Sequence, residues 1–134
     1  MPEARPVFSS PDDLAPPAGY SHVVAIPPGR LVWTSGQVPM DAERNVVAPG
    51  DWEGQTRAVF ENVERALRAG GAGWNDVVKL TLYVVDVSSL DTIRAVRDEF
   101  VDTASPPTSS LVRVAGLVHP DVLIEVEAVA WRPS

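Results

Sequence analysis

The sequence predicts an α+β fold: a single mixed β-sheet with two helices on one face. Two segments repeat apolar residues at spacings of three and four, the mark of a helix with one buried stripe. Between and around them lie short runs rich in valine, one of which, Val77 to Val85, alternates from Val78 to Val84. The resulting order, two strands, a helix, a strand, a helix and two strands, suits one sheet whose helices are too few to cover both of its sides.

Residues 1–17 are rich in proline and acid and read as an N-terminal arm with a short strand around Pro6 to Ser9; residues 18–134 form the domain. Ser21 to Ile26 and Arg30 to Val38 are apolar runs separated by Pro27-Pro28-Gly29, which predicts a hairpin. Asp51 stands as the cap of a first helix, in which Trp52, Val59, Phe60, Val63, Ala66 and Leu67 share a face before Gly70-Gly71 stops it. In the next strand Val78, Leu80, Leu82 and Val84 point one way and Lys79, Thr81 and Tyr83 the other. Ser88, three residues before Asp91, predicts a capped start for the second helix, with Leu90, Ile93, Val96 and Phe100 as its stripe. Ser109 to Val114 and Val122 to Trp131 complete the sheet.

With 134 residues, 45% of them hydrophobic and 22% charged, the chain has the balance of one globular domain. Eighteen acidic against eleven basic residues give a net charge of -7, which argues against nucleic acid or an anionic membrane as a partner. Cysteine is absent, so disulfides, thiolate ligands and cysteine nucleophiles drop out together, and a cytoplasmic location is expected. The arm has no basic stretch followed by an apolar run, as a signal peptide requires, and no apolar run reaches the roughly 20 residues of a membrane span. His22 and His119 have no metal-ligand spacing, and no glycine-rich phosphate loop or nucleophile elbow occurs, so no metal and no cofactor is expected.

A sheet covered on one side leaves apolar residues on the other, here expected at Val77 and Val85, and packing alone therefore predicts an oligomer.

Candidate chemistry concentrates in four places. Glu125 and Glu127 project to one side of the last strand, about 6 to 7 Å apart by strand rise. A pair of carboxylates suits general acid and base work, although on spacing alone a solvated strand face is the commoner meaning. Ser35-Gly36 offers a hydroxyl and backbone donors at a point of close approach. Tyr20 lies in Ala18-Gly19-Tyr20-Ser21. Of the cations, Arg94 has Asp91 and Asp98 at helical spacing as surface partners, whereas Arg113 shares a strand face with Ser109 and Leu111 and is the candidate for a ligand, with Arg97 unassigned.

Val32-Trp33-Thr34-Ser35-Gly36-Gln37-Val38-Pro39, Gln55, Asn62, Gly70-Gly71, Asp76-Val77-Val78-Lys79 and Ile124-Glu125-Val126-Glu127-Ala128 together resemble the reactive intermediate (imine/enamine) deaminase family, also called the RidA or YjgF family. The resemblance runs from about Gly19 to Ala130. It implies a chorismate-mutase-like fold and a homotrimer whose three sheets close around a central barrel, with a ligand cleft at each subunit interface. Glu125 matches the family glutamate that positions or activates water, and Tyr20 matches a tyrosine that lines the cleft, although the proline before that tyrosine is missing here. Glu127 keeps a structural reading.

Where the family places a carboxylate-binding arginine, this chain reads Pro107-Thr108-Ser109. A serine cannot replace the bidentate fork, so Ser109 is expected to contact substrate without anchoring it, and 2-aminoacrylate is expected to be a poor substrate. Two functions fit: hydrolysis of a larger or less acidic imine or enamine to a carbonyl product and ammonia, or a non-catalytic trimer that binds a small metabolite or a partner protein in the same cleft.

Overall fold

A computed structural model describes residues 4–134; the first three residues of the expected arm lie outside it. The elements are β1 (Val7–Ser9), β2 (Val23–Ala25), β3 (Arg30–Trp33), α1 (Trp52–Ala69), β4 (Val77–Val84), α2 (Leu90–Arg97), β5 (Thr108–Arg113) and β6 (Ile124–Arg132), with a 3-10 turn at Trp74–Asp76. β3, β6, β4 and β5 form one mixed sheet in that order, β4 running parallel to β5 and antiparallel to β6.

The helix signals act locally as expected. Asp51 is extended and its side chain accepts from the Gly54 N–H, satisfying one of the free donors of the first turn. At the other end the N–H groups of Gly70, Gly71 and Ala72 turn back onto Leu67 and Arg68 carbonyls. The apolar stripe of α1, Val59, Phe60, Val63 and Leu67, is fully buried against Leu80, Ile124, Val126 and Ala128 of the sheet. Each such side chain contributes about 1.5 to 3 kcal/mol by leaving water. Phe60 stacks on Trp74 with ring centroids 4.9 Å apart, and the indole N–H donates to the Phe60 carbonyl. Gln55, also fully buried, donates to the Asp121 carbonyl at 2.7 Å and accepts from the Leu123 N–H at 2.8 Å. That amide ties the start of β6 to the start of α1.

Three expectations need correction. The apolar runs either side of Pro27-Pro28-Gly29 do not pair as a hairpin: β2 pairs with β1 of the arm, Val7 opposite Ala25, while β3 pairs with β6. Two prolines cannot adopt the positive φ of a tight hairpin turn and have no N–H to give a ladder. The segment instead crosses the end of β6, where the Trp131 indole N–H donates to the Pro27 carbonyl. Ser88 does not cap α2; Asp86 accepts from its N–H at 2.6 Å in a local turn, and the helix begins one residue after Ser89 without a side-chain cap.

The third correction concerns the face away from the helices. Val77 sits at a register shift between β4 and β6 and is only 3% exposed. The apolar exposure on that face comes from Leu31, Trp33 and Val112. Trp33, opposite Val129 on β6, is 70% exposed.

Candidate functional site

Beyond Trp33 the chain leaves the regular ladder. The Thr34 N–H still donates to the Ala128 carbonyl, and pairing with β6 resumes at Gln37 opposite Val126. One more residue is used on this side than on β6, so Ser35 and Gly36 bow out, as at a bulge. Gly36 then lies directly against the Glu125 carboxylate: a Cβ there would stand 2.1 Å from Oε2 and 2.8 Å from Cδ. Glycine is required because the carboxylate occupies the place a side chain would take. Ser35 is exposed beside it.

The two carboxylates of β6 are not equivalent. Tyr83, on β4, donates its phenol to Glu127 Oε1 at 2.5 Å, and this bond holds the tyrosine above its ordinary pKa. Glu125 is half-buried and has no hydrogen-bond partner among the described residues. Burial, and then the charge of Glu127, push its carboxyl above the ordinary range. A desolvated carboxylate with open acceptor sites suits a base that takes a proton from water.

A second group forms around Ser109. The Ser21 hydroxyl donates to the Pro106 carbonyl at 2.6 Å and its N–H to Pro107, which fastens the segment 18–21 against the start of β5. Tyr20 and Ser109 thereby line one cavity of ≈ 90 Å³ with Ala18, Leu82, Ile93, Arg94, Arg97 and Leu111. Arg97 is 7% exposed, and its Nε donates to Asp98 Oδ1 at 2.9 Å. Its Nη2 lies against Gly19, 2.2 Å from where a Cβ would stand. Asp98, expected as a partner for Arg94, thus pairs with Arg97. Arg113 is not among the residues lining the cavity; its Nε donates to the Val85 carbonyl at 3.4 Å.

Within one chain these two groups stand apart. Across the ladders Glu125 pairs with Tyr83 and Ser109 with Leu80, and successive residues of β4 point to opposite faces. Gly36 and Glu125 are therefore on the open face, whereas Tyr20, Ser109, Arg94 and Arg97 lie on the helix side. Arg94 and Arg97 were not assigned to the site from sequence; their spacing of three on α2, which puts both on one helix face, was the available signal. A larger hollow of ≈ 750 Å³ lies between α1 and the segment 38–47, lined by Met40, Asn62 and Arg65 among others, and none of the candidate residues lines it.

Among the described residues no cluster of three or more histidines or acids is arranged to hold a metal ion, and no helix is long and apolar enough to cross a membrane. The His22 ring contacts the Ala15 carbonyl and the edge of Tyr20, and His119 Nδ1 accepts from the Asp121 N–H.

Residues 10–132 match the family model described as endoribonuclease L-PSP. The chain is similar to the 2-iminobutanoate/2-iminopropanoate deaminase of Salmonella typhimurium, 38% identical over 120 residues that cover 88% of this chain and 92% of that protein. Its fold is similar to that of YyfB of the Rid family from Yersinia pestis, with a TM-score of 0.89 and 35% identity over 96% of this chain and 100% of that one. It is also similar to Escherichia coli TdcF with bound serine, with a TM-score of 0.69 and 33% identity over 92% and 93% of the two chains.

Proposed function

The chain belongs to the Rid (YjgF) family, and from that premise we propose that it is a cofactor-independent hydrolase of reactive imines or enamines. The observation that carries the reading is the Glu125 carboxylate: seated over Gly36, partly desolvated and without a hydrogen-bond partner among the described residues. Water held there gives a proton to Glu125 as its oxygen bonds to the imine carbon. Glu125 passes that proton to the nitrogen of the resulting carbinolamine, the carbon–nitrogen bond breaks, and ammonia leaves as the hydroxyl returns its proton to Glu125 and the carbonyl forms. The serine held by the similar Escherichia coli protein agrees with a small polar metabolite in such a cleft.

The active unit is a homotrimer in which the open face of one sheet meets a neighbour, so that Glu125 of one copy faces the Ser109 cavity of the next. Trp33, Leu31 and Val112 supply the apolar contact. The substrate is larger than 2-aminoacrylate, because Ser109 leaves room beside Leu82 and Leu111.

The test is the release of ammonia and 2-oxo acid from a panel of enzymatically generated imines, using protein made in a host lacking its own deaminase. Parent protein accelerates release and Glu125→Gln does not. Binding without release by the parent would instead mark a non-catalytic trimer.

A further inference from the structure

Arg97 is in an unusual position for a charged side chain. Its side chain is more than nine-tenths buried, and a buried charge costs several kcal/mol unless it is compensated and its donors are bound. Buried polar groups are as a rule fully hydrogen-bonded. Here the Nε alone has an acceptor, Asp98, whose own side chain is 46% exposed. Nη1 and Nη2, the fork that grips a carboxylate, have no acceptor among the described residues; since no fully buried side-chain nitrogen there lacks a partner, the fork opens onto the cavity that Ser109 and Tyr20 line. Arg94, one turn earlier on α2, lines the same cavity and has no ion pair among the described residues. Two guanidiniums at this spacing repel, and Asp98 pairs with Arg97 alone.

We propose that Arg97, backed by Arg94, holds the carboxylate of the substrate, reaching into the Ser109 cavity from α2. The short side chain at 109 leaves the space the anion needs, and the hydroxyls of Ser109 and Tyr20 stand around it as further donors. Gly19 forms the back of the seat: it has no Cβ, and with φ at +79° it holds a conformation that other residues adopt with strain. An anion in the cavity satisfies the free fork, neutralises the surplus charge and fixes the orientation of the rest of the molecule. The ligand class is a 2-imino or 2-oxo acid with one carboxylate. The chemistry at the imine rests on the hydrolase reading above, and the anion seat does not.

Calorimetric titration with 2-oxobutanoate and with 2-oxobutanamide, its uncharged analogue, tests the proposal on the intact protein. The parent binds the acid at least about tenfold more tightly than the amide. Arg97→Met removes that preference, Arg94→Gln weakens it severalfold, and Gly19→Ala, which keeps every charge but crowds Nη2, also weakens it. Arg68→Gln, on the outer surface of α1, leaves it unchanged. Adding Ser109→Arg to Arg97→Met restores acid binding by supplying a fork from β5. Equal binding of acid and amide by the parent overturns the proposal, as does parental acid affinity in a folded Arg97→Met variant. Should that variant fail to fold, unchanged acid binding in both Arg94→Gln and Gly19→Ala overturns it. Acid binding that depends on Arg97 in a protein that turns over no imine upholds the seat and sinks the hydrolase; imine turnover with binding indifferent to Arg97 does the reverse.

Discussion

Glu125 and Ser109 project from opposite faces of one sheet, Glu125 beside Tyr83 and Ser109 beside Leu80, so a single chain cannot present both to one small molecule. In the proposed assembly a second copy, stacking its open face against the groove of the first, brings such a carboxylate to the cavity. Oligomerisation and catalysis are therefore one question in this account.

Loss of the Glu125 carboxylate removes the base. Glu125→Gln should lower turnover by about 10² to 10⁴ while leaving the assembly intact. In the parent, the rate should fall as acidification passes a midpoint above the ordinary carboxylate range, because burial and Glu127 raise this carboxyl. For stability the sign is opposite. A raised folded value means that the protonated form favours the fold; that contribution is complete below the ordinary carboxylate pKa and is lost as pH rises through the folded value. Glu125→Gln should then stabilise the protein near neutrality by less than about 1 kcal/mol, with no gain in acid. Denaturant titrations at several pH values check this.

Gly36→Ala puts a methyl group 2.1 Å from Oε2 of Glu125. The obstacle is the end of a flexible side chain, so the fold should hold while the carboxylate is displaced. Turnover should drop by about tenfold or more, with ligand affinity changed less, in a comparison of kcat and KM.

Gln55→Ala removes both bonds that tie α1 to the Asp121–Leu123 segment and leaves a backbone carbonyl and N–H without partners. The expected cost is about 2 to 4 kcal/mol, read from urea unfolding at fixed protein concentration.

Trp33→Arg tests the assembly. Sedimentation of the parent at micromolar concentration should give a trimer, and the variant should shift toward monomer, since a charge replaces the most exposed aromatic of the open face. A parent that sediments as a monomer contradicts the expectation.

How far the sequence could be read depended on whether a signal was local. The stripe of α1, its Asp51 cap and its glycine stop are set by neighbours three and four residues away, and they are visible in the pattern. The alternation of β4 likewise assigned its two faces. Strand order is different: β6 lies between β3 and β4, and nothing periodic records that a late strand intercalates between earlier ones. The hairpin reading failed because the partner of β2 comes from the proline-rich arm. Glu125 and Ser35-Gly36 stood out in the sequence, but the seat of Glu125 over Gly36 arises from one extra residue after Trp33, a register effect. Arg97 was hidden by its reach, since a long side chain on a helix can serve a strand whose position in space the sequence does not give.

The most direct test of the shared site is to mix two inactive variants. Glu125→Gln retains the Ser109 cavity and lacks the base; Ser109→Trp retains the base and fills the cavity. Each alone should be inactive in imine hydrolysis. Co-assembled in equal amounts, they should recover about a quarter of parental activity, because one site in four pairs an intact cavity with an intact Glu125 from its neighbour. Activity no greater than that of the separate variants, in oligomers verified to contain both, would contradict a site built between two copies.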